Sequence, residues 1–385
     1  MLAHARQRIT PVCCPTVRIP RQQRRAATIA AAGRPARASG SGHASDAAQE
    51  PPDLLVFSFI VDDLVHADGA TDMEQVGGGG PQTAWGAAAA AAAAGFTRSG
   101  QVTECVDVRV ALAAGVGHDM PRACTEWLSG VGIDLSGMRV VPSQPTPRAW
   151  QLTEADGRRT QVWRTPEGPD VYAMLRPEPT ELPTRLLGSR AAHVGVHPNR
   201  PSLELVRSLR AAGTRFVSVE TFTTADAPLS EGELRELCGA VDCVSPNLLE
   251  ARTMFASATM DAVDAGRRLV DAGAPTAIVR CGEDGAVLVM ADGRVFSSPA
   301  ASGVICKDPT GCGNAMMGAA VLLLSRGAAP EEALAMGTAV AAAMAEAVGV
   351  PPPPAQLPAG ALVKIAERYE DVVARTSVRR VQPRK

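Results

Sequence analysis

The chain has 385 residues, of which 46% are hydrophobic and only 3% aromatic, so its core must be built from small aliphatic side chains. Residues 1–45 carry eight Arg and no acidic residue, so residues 46–385 hold 30 basic and 40 acidic side chains, a net charge of −10. That sign argues against direct nucleic-acid binding, which needs a basic surface. No apolar run reaches transmembrane length, and the nine cysteines show no C-x-x-C or zinc spacing. We therefore expect neither membrane insertion nor a zinc centre.

The N-terminal segment, residues 1–50, is rich in Arg, Ala and Pro and lacks the apolar stretch of a secretory signal. This composition predicts an organelle transit peptide, with a disordered basic tail as the alternative. We favour a plastid over a mitochondrion, and expect a cytoplasmic protein if the segment is not a transit peptide. We therefore expect the folded domain to comprise residues 51–376 and to be followed by a basic tail, residues 377–385.

The first part of this body predicts two strands and a helix. The apolar run Leu54–Val61 indicates a buried strand, which ends at Asp62 and Asp63. The glycine-rich stretch Val76–Ala84 leads into a polyalanine run, which predicts a helix that lies flat on a sheet. A second strand is expected at Asp107–Leu112. Acidic residues directly after a buried strand lie where open α/β sheets bind ligands.

A hairpin interrupts this pattern. Apolar residues flank Asp156-Gly157 within Arg148–Arg164, and Asp-Gly between such runs is typical of a tight β-turn. Together with the polar link after the first strand, it predicts a small β lid formed by residues of about 62–76 and 145–165.

From residue 191 onward, strands and helices alternate, which predicts a mostly parallel sheet. Ser230 and Glu233 have the spacing of a capping box. The expected strands are Ala192–Val196, Phe216–Glu220, Val241–Val244, Ala277–Val279 and Ala286–Val289, and the expected helices are Leu203–Ala212, Glu231–Ala240, Leu248–Ala256, Asp261–Ala272, Pro330–Val348 and Ala361–Ala374.

A glycine-containing turn near residue 311 is the strongest candidate for a functional site. A β-type run, Gly303–Cys306, precedes Lys307–Asn314, and an apolar helical pattern follows. A strand, a Gly-x-Gly turn and a helix in this order aim backbone N–H groups and the positive end of a helix dipole at an anion. An ordinary tight turn between strand and helix is the alternative.

Four stretches taken together resemble the ribokinase/PfkB family of carbohydrate kinases, in the right order along the chain. They are a glycine hinge followed by an amide side chain (Val76–Ala84), a G-x-D turn (Gly117–Asp119), an N-x-x-E motif (Asn247–Glu250) and a signature close to D-T-x-G-A-G-D (Asp308–Asn314). The resemblance implies a three-layer αβα ribokinase-like fold, with a mostly parallel central sheet and a small β lid. It also implies transfer of a phosphoryl group from ATP, accompanied by Mg²⁺, to a hydroxyl of a sugar or nucleoside.

The resemblance carries over a nucleotide site. The backbone of Gly311, Cys312 and Gly313 would form the anion hole, and Asn247 would act with Glu250, through water, on Mg²⁺. Gly282 and, more approximately, Thr338 match positions near the nucleotide.

It also carries over an acceptor site and a cation site. Asp62, Gly78, Gly79 and Gln82 match the substrate-binding positions, with Gln82 in the place of the family's sugar-binding Asn. In several members the positions of Asp308 and Thr310 help to hold a monovalent cation such as K⁺. Lids in this family often pair, so a homodimer through the lid is expected.

The chain departs from the family at Asn314, where active members carry the aspartate that takes the proton of the acceptor hydroxyl. A carboxamide can orient a hydroxyl but has no usable basic site. Two readings follow: a slow kinase, because positioning and charge stabilisation dominate phosphoryl transfer, or a pseudokinase that binds nucleotide or sugar and acts through a protein partner. The change resembles a divergent subgroup typified by the fungal killer-virus maintenance protein.

Overall fold

The structure is a computed structural model that describes residues 50–96, 107–155, 159–166 and 168–381. Residues 1–49 of the predicted transit peptide, the hairpin tip Asp156-Gly157 and residues 382–385 of the predicted basic tail lie outside the described residues. None of the helices in the described ranges is long and apolar enough to span a bilayer.

The described residues form eleven α-helices and fourteen strands, and the strands make up two sheets. The strands are β1 (Leu54–Phe57), β2 (Ile60–Val65), β3 (Thr71–Gly77), β4 (Val110–Val116), β5 (Asp134–Val140), β6 (Arg148–Thr153), β7 (Arg159–Trp163), β8 (Ala191–Val196), β9 (Phe216–Thr221), β10 (Cys243–Ser245), β11 (Thr276–Arg280), β12 (Ala286–Met290), β13 (Arg294–Ser298) and β14 (Ser377–Arg380). The helices are α1 (Gly79–Ala94), α2 (Arg122–Val131), α3 (Pro169–Leu175), α4 (Thr184–Leu187), α5 (Leu203–Ala211), α6 (Glu231–Ala240), α7 (Leu248–Met254), α8 (Ala262–Asp271), α9 (Cys312–Ser325), α10 (Pro330–Ala345) and α11 (Ala359–Arg375).

The large sheet has ten strands in the order β14-β13-β12-β11-β10-β9-β8-β1-β4-β5. The strands from β11 to β5 are parallel, and β12, β13 and β14 extend the sheet antiparallel. Helices cover both faces: α1, α9 and α10 bury one set of strand side chains, and α5, α6 and α8 bury the other. The predicted three-layer α/β fold is therefore confirmed. Parallel strands place their carboxyl ends at one edge, where such folds bind ligands.

The predicted first strand, Leu54–Val61, is instead two strands that belong to different sheets. Ser58 has a φ of 75°, a left-handed conformation that breaks the run after Phe57. A side chain at Gly80 would overlap the carbonyl oxygens of Phe57 and Ser58, so the start of α1 packs directly on this bend. An apolar run gives no sign of such a bend, because both halves are buried.

Three further expectations differ in detail. Gly303–Cys306 is irregular rather than a strand, and Ile305 is 75% exposed. The edge position beside β13 is taken instead by β14, which is formed by the first residues of the predicted basic tail. The second strand runs from Val110 to Val116 because its apolar residues continue through the Ala-Ala-Gly that follows Leu112. The capping box of Ser230 and Glu233 is confirmed at the start of α6.

Two glycines bring α1 and α9 into unusually close contact. A side chain at Gly86 would overlap the carbonyl oxygen of Ala315, and one at Gly318 would overlap that of Thr83. Because every residue of α1 after Gly86 is alanine, the two backbones approach each other along much of their length. The N-termini of both helices are thereby held side by side.

The second sheet has the order β3-β2-β6-β7 and lies at the carboxyl edge of β1. It contains both segments from which the lid was expected. Its central anchor is Asp63, whose side chain is fully buried and accepts hydrogen bonds from Glu74 N (2.9 Å), Arg148 Nε and Nη2 (2.6 and 2.8 Å) and Arg164. Burial alone would raise the pKa of Asp63, but these hydrogen bonds lower it to about 2.

We predict that Gly318→Ala lowers the free energy of unfolding by about 1–3 kcal/mol or more, because the added methyl group forces two backbones apart. Gly239→Ala is the matched control, since this helical glycine of α6 has nothing within 4 Å of the position of an added Cβ. The control should gain about 0.5–1 kcal/mol from helix propensity. Urea unfolding of the three proteins measures the differences, and equal stability of both variants would contradict the close contact.

We predict that Asp63→Asn destabilises the lid at neutral pH by about 2–3 kcal/mol, because two arginines lose their charged acceptor. The folded-state pKa lies below the ordinary 3.8, so this stabilisation is complete above about pH 4 and is lost as the pH falls through about 2. Hydrogen exchange of the amides of β6 at pH 7 and pH 3 reports it. Asp72→Asn, a change at an exposed carboxylate of the same sheet, should have little effect, and a difference from wild type that does not shrink towards pH 2 would contradict the assignment.

Candidate active site

The turn at the start of α9 presents unbonded backbone N–H groups. Gly311 caps the helix in a left-handed conformation with a φ of 77°. The first backbone bonds run from Cys312 N to Pro309 O (3.3 Å) and from Ala315 N to Gly311 O (2.8 Å). The N–H groups of Gly313 and Asn314 have no carbonyl partner among the described residues. Unbonded N–H groups with the dipole of a 14-residue helix behind them are suited to binding an anion.

The side chains of Gln82 and Arg280 lie directly over the two glycines of the turn. A Cβ on Gly311 would lie 2.5 Å from Cδ of Gln82, and one on Gly313 would overlap the guanidinium of Arg280. Gln82 and Arg280 therefore flank the anion hole, and Arg280 brings a largely buried positive charge against it, with 13% of its side chain exposed.

Asn314 lies between Gln82 and a buried carboxylate that the sequence did not single out, Glu220. Its amide contacts Gln82 Oε1 at 2.5 Å on one side and the Glu220 oxygens at 2.5 and 3.1 Å on the other. An ionised carboxylate only accepts hydrogen bonds, so Asn314 turns its Nδ2 towards Glu220 and its oxygen towards Gln82, whose own amide turns in the same way so that its nitrogen donates. The side chain in the position of the family base is thus held on both sides.

Glu220 stands at the end of β9, with His193 from β8 and Arg280 from β11 around it. Its Oε2 lies 3.6 Å from His193 Nε2 and 3.5 Å from Arg280 Nη1. Burial alone would raise the pKa of Glu220, but the adjacent His193 imidazole and the charge of Arg280 hold it below the ordinary value. Glu220 is therefore ionised at neutral pH, although it is only 4% exposed.

Asn247 and Glu250 form a capping box at the start of α7. Glu250 N donates to Asn247 Oδ1 (2.8 Å), while Asn247 N and Nδ2 donate to the Glu250 carboxylate, both at 2.7 Å. Thr221 donates to the same carboxylate at 2.6 Å, and Arg280 Nη2 lies 3.6 Å from it. Burial raises the pKa of Glu250 despite the nearby guanidinium. These hydrogen bonds orient the Glu250 carboxylate towards Arg280, which lies against the first turn of α9.

The lid contributes a row of polar side chains at the hinge. Gln151 Nε2 donates to Asp62 Oδ1 (2.7 Å) and to Gln161 Oε1 (3.1 Å), while Gln151 Oε1 is buried without a hydrogen-bond partner among the described residues. The Asp62 carboxylate leaves no room for a side chain at Gly77. An orphaned buried acceptor beside a carboxylate is suited to a ligand hydroxyl.

Gly78 and Gly79 connect the lid to α1. Gly78 has a φ of 84°, which favours glycine at the hinge. A Cβ on Gly79 would lie 3.4 Å from Glu220 Oε1 and 3.7 Å from the Asn314 amide. The missing side chain leaves space in front of both groups.

Beside the turn at Gly282, which has a φ of 60°, lies a groove of about 600 Å³. It is lined in part by Leu248, Cys281, Asp284 and Ser298. Thr338 does not line it: its hydroxyl donates to Leu334 O (3.0 Å) and lies 3.4 Å behind Ser298 Oγ.

Asp308 ties the signature turn to the loop after α10. Its Oδ1 accepts from Thr310 N (2.8 Å) and its Oδ2 from Gly349 N (3.0 Å). These contacts give the carboxylate a structural role in the turn.

ATP and Mg²⁺ fit these residues. The unbonded N–H groups at Gly313 and Asn314 and the adjacent Arg280 suit phosphate oxygens. The described residues include no cluster of three His, Cys, Asp or Glu side chains that could hold a metal ion. A Mg²⁺ ion here would be held by phosphate oxygens and by water bonded to Asn247 and Glu250, and it would neutralise charge on the phosphates.

Sequence reasoning missed four residues of this site: Gln151, His193, Glu220 and Arg280. Glu220 lies at the end of β9, Asn247 just after β10 and Arg280 at the end of β11, and these three strands are adjacent in the sheet. Polar residues at the ends of adjacent parallel strands were the sequence signal that could have identified Glu220 and Arg280.

Known proteins share this architecture. The family model for pfkB carbohydrate kinases matches residues 62–356. The solved structure of Arabidopsis thaliana ribokinase with ribose and ATP is 17% identical, with 83% of this chain and 99% of that chain covered and a TM-score of 0.58. A nucleoside kinase of the ribokinase family from Methanocaldococcus jannaschii is 18% identical over 84% and 100%, with a TM-score of 0.59.

Phosphofructokinase-2 from Escherichia coli, solved with substrates and products, is 16% identical over 83% of this chain and 99% of that chain, with a TM-score of 0.59. No curated protein matches the chain. The structural likenesses show the fold, and the family model covers most of the chain, including the hinge, the N-x-x-E motif and the signature turn. This protein therefore belongs to the pfkB family of carbohydrate kinases.

Proposed function

We propose that this protein is an ATP-dependent phosphotransferase that phosphorylates a hydroxyl of a sugar or nucleoside, and that the absence of an aspartate at position 314 makes it slow. The observation that carries the proposal is the pair of unbonded N–H groups at Gly313 and Asn314 beside the guanidinium of Arg280. Donors fixed in this way stabilise the charge on a phosphoryl group during its transfer.

The remaining residues of the site would bind the nucleotide and the acceptor. The γ-phosphate would rest on α9, and the nucleotide would extend past Gly282 into the groove beside Cys281 and Ser298. The acceptor would lie between the lid and α1, where Asp62, Gln151 and Gln82 can bind its hydroxyls. Closing the lid over it would exclude water from the transfer.

A pseudokinase that binds nucleotide or sugar and acts through a protein partner is the second candidate. It is favoured by the first turn of α9, which contains no acidic residue, and by the two side chains that fix Asn314. The same substitution supports placing the chain in the divergent subgroup typified by the killer-virus maintenance protein.

The decisive experiment incubates the chain without residues 1–50 with Mg-ATP and a panel of sugars and nucleosides. We expect ADP release that depends on the acceptor. In calorimetry we expect the protein to bind Mg-ATP, and Glu250→Ala to weaken this binding by about tenfold, because Glu250 no longer contacts Mg²⁺ through water. Exchange of K⁺ for Na⁺ tests a monovalent cation at Asp308 and Thr310. Binding without turnover would favour the pseudokinase, and no Mg-ATP binding by either protein would contradict both candidates.

We further propose import into an organelle, preferably a plastid, directed by residues 1–50. A reporter fused to these residues should leave the cytosol, and a version with the eight Arg replaced by Gln should remain there. Cytosolic fluorescence from both fusions would contradict the proposal.

The lid also supports a proposal of self-association. Thr71–Glu74 of β3 are exposed at its outer edge, with Met73 41% exposed. A homodimer would cover this edge, and light scattering during gel filtration tests it.

A further inference from the structure

The first turn of α9 carries no base, yet a carboxylate touches it from another element. Glu220 reaches from β9 to within 2.5 Å of the Asn314 amide. Both of its oxygens lie near the Asn314 amide, Oε1 at 2.5 Å and Oε2 at 3.1 Å. Oε2 also faces His193 and Arg280, at 3.6 and 3.5 Å, whereas Oε1 also faces the space left by Gly79. One oxygen is thus held by positive or polar groups, and the other is directed towards the cleft.

The other carboxylates of the site are engaged elsewhere. Both oxygens of Asp308 accept backbone N–H groups of the turn and of Gly349. Glu250 accepts from Asn247 and Thr221, and Asp62 accepts from Gln151 in the lid. Of these acids, only Glu220 contacts the side chain in the position of the family base.

We propose that Glu220 is the catalytic base of this protein, a carboxylate moved from the start of α9 to the end of β9. This inference rests on the proposed phosphotransferase function. Oε1 takes the proton of the acceptor hydroxyl as that oxygen forms its bond to the γ-phosphorus. The bond from that phosphorus to the bridging oxygen breaks, and ADP leaves with the electron pair. The proton returns to solvent when the products depart.

Asn314 and His193 are positioning residues in this scheme. Asn314 donates its Nδ2 to Glu220 and so orients the carboxylate towards the cleft, which an aspartate in its place could not do without charge repulsion. His193 bonds to Ser218 Oγ through Nδ1 at 3.1 Å, which directs its Nε2 at Glu220. That Nε2 is buried and has no hydrogen-bond partner within 3.5 Å among the described residues.

Three variants test the proposal in the chain without residues 1–50. Glu220→Gln keeps the shape but removes the basic oxygen, and should slow acceptor-dependent ADP release by about 100- to 10,000-fold while the dissociation constant of Mg-ATP changes little. Combining Glu220→Gln with Asn314→Asp exchanges the acid and the amide between the same two positions, and should recover at least about tenfold. Glu236→Gln, an exposed change on α6, is the control that should leave the rate unaltered.

Each result decides the matter. A Glu220→Gln protein as fast as wild type would overturn the proposal, and so would a double variant that binds Mg-ATP normally but stays as slow as Glu220→Gln. Wild type that binds Mg-ATP without turnover, beside an active double variant, would show that Glu220 is no base in the natural protein. Failure of wild type to bind Mg-ATP would instead refute the proposed function itself. If Glu220→Gln alone does not fold, the double variant, whose net charge equals that of wild type, supplies the answer through recovery or its absence.

Discussion

The close contact of α1 with α9 is the constraint on which the site depends. Gly86 and Gly318 allow each backbone to approach the other, so the two helix N-termini lie side by side. The first turn of α1 carries the hinge and Gln82, and the first turn of α9 carries the anion hole. The short distance between the side-chain amides of Gln82 on α1 and Asn314 on α9, 2.5 Å, is therefore a consequence of the packing of these two helices. A small-residue core is what makes this geometry available.

Around that contact the protein concentrates charge in a small buried volume. Arg280 lies between Glu220 and Glu250 and also against Gly313. One guanidinium therefore compensates two carboxylates and faces the anion hole. Buried carboxylates are costly unless they are paired and hydrogen bonded, and here each has several partners. Such a network contributes more to the fixed orientation of its members than to net stability, which is what positioning of a phosphoryl group requires.

Features that depend on residues close together in the sequence were predicted, whereas features that depend on distant segments were not. The alternating strands and helices after residue 191, the capping box at Ser230 and the glycines of the signature turn depend on neighbours a few residues away, and each was anticipated. The break at Ser58 and the edge strand β14 were missed. Both result from contacts between distant segments: α1 packs on the bend, and β14 fills the edge beside β13. Periodicity cannot report such contacts.

The sequence by itself determined the family, the order of the motifs and the replacement of an expected aspartate by Asn314. These are properties of residues at fixed spacing along the chain. Only the tertiary structure decided what surrounds Asn314, because Glu220, His193 and Arg280 come from three strands that are far apart in sequence. Pairing of parallel strands brings those strand ends to one edge of the sheet. The surroundings of Asn314 therefore follow from the fold: the turn has an amide at this position, and the end of β9 places the Glu220 carboxylate beside it.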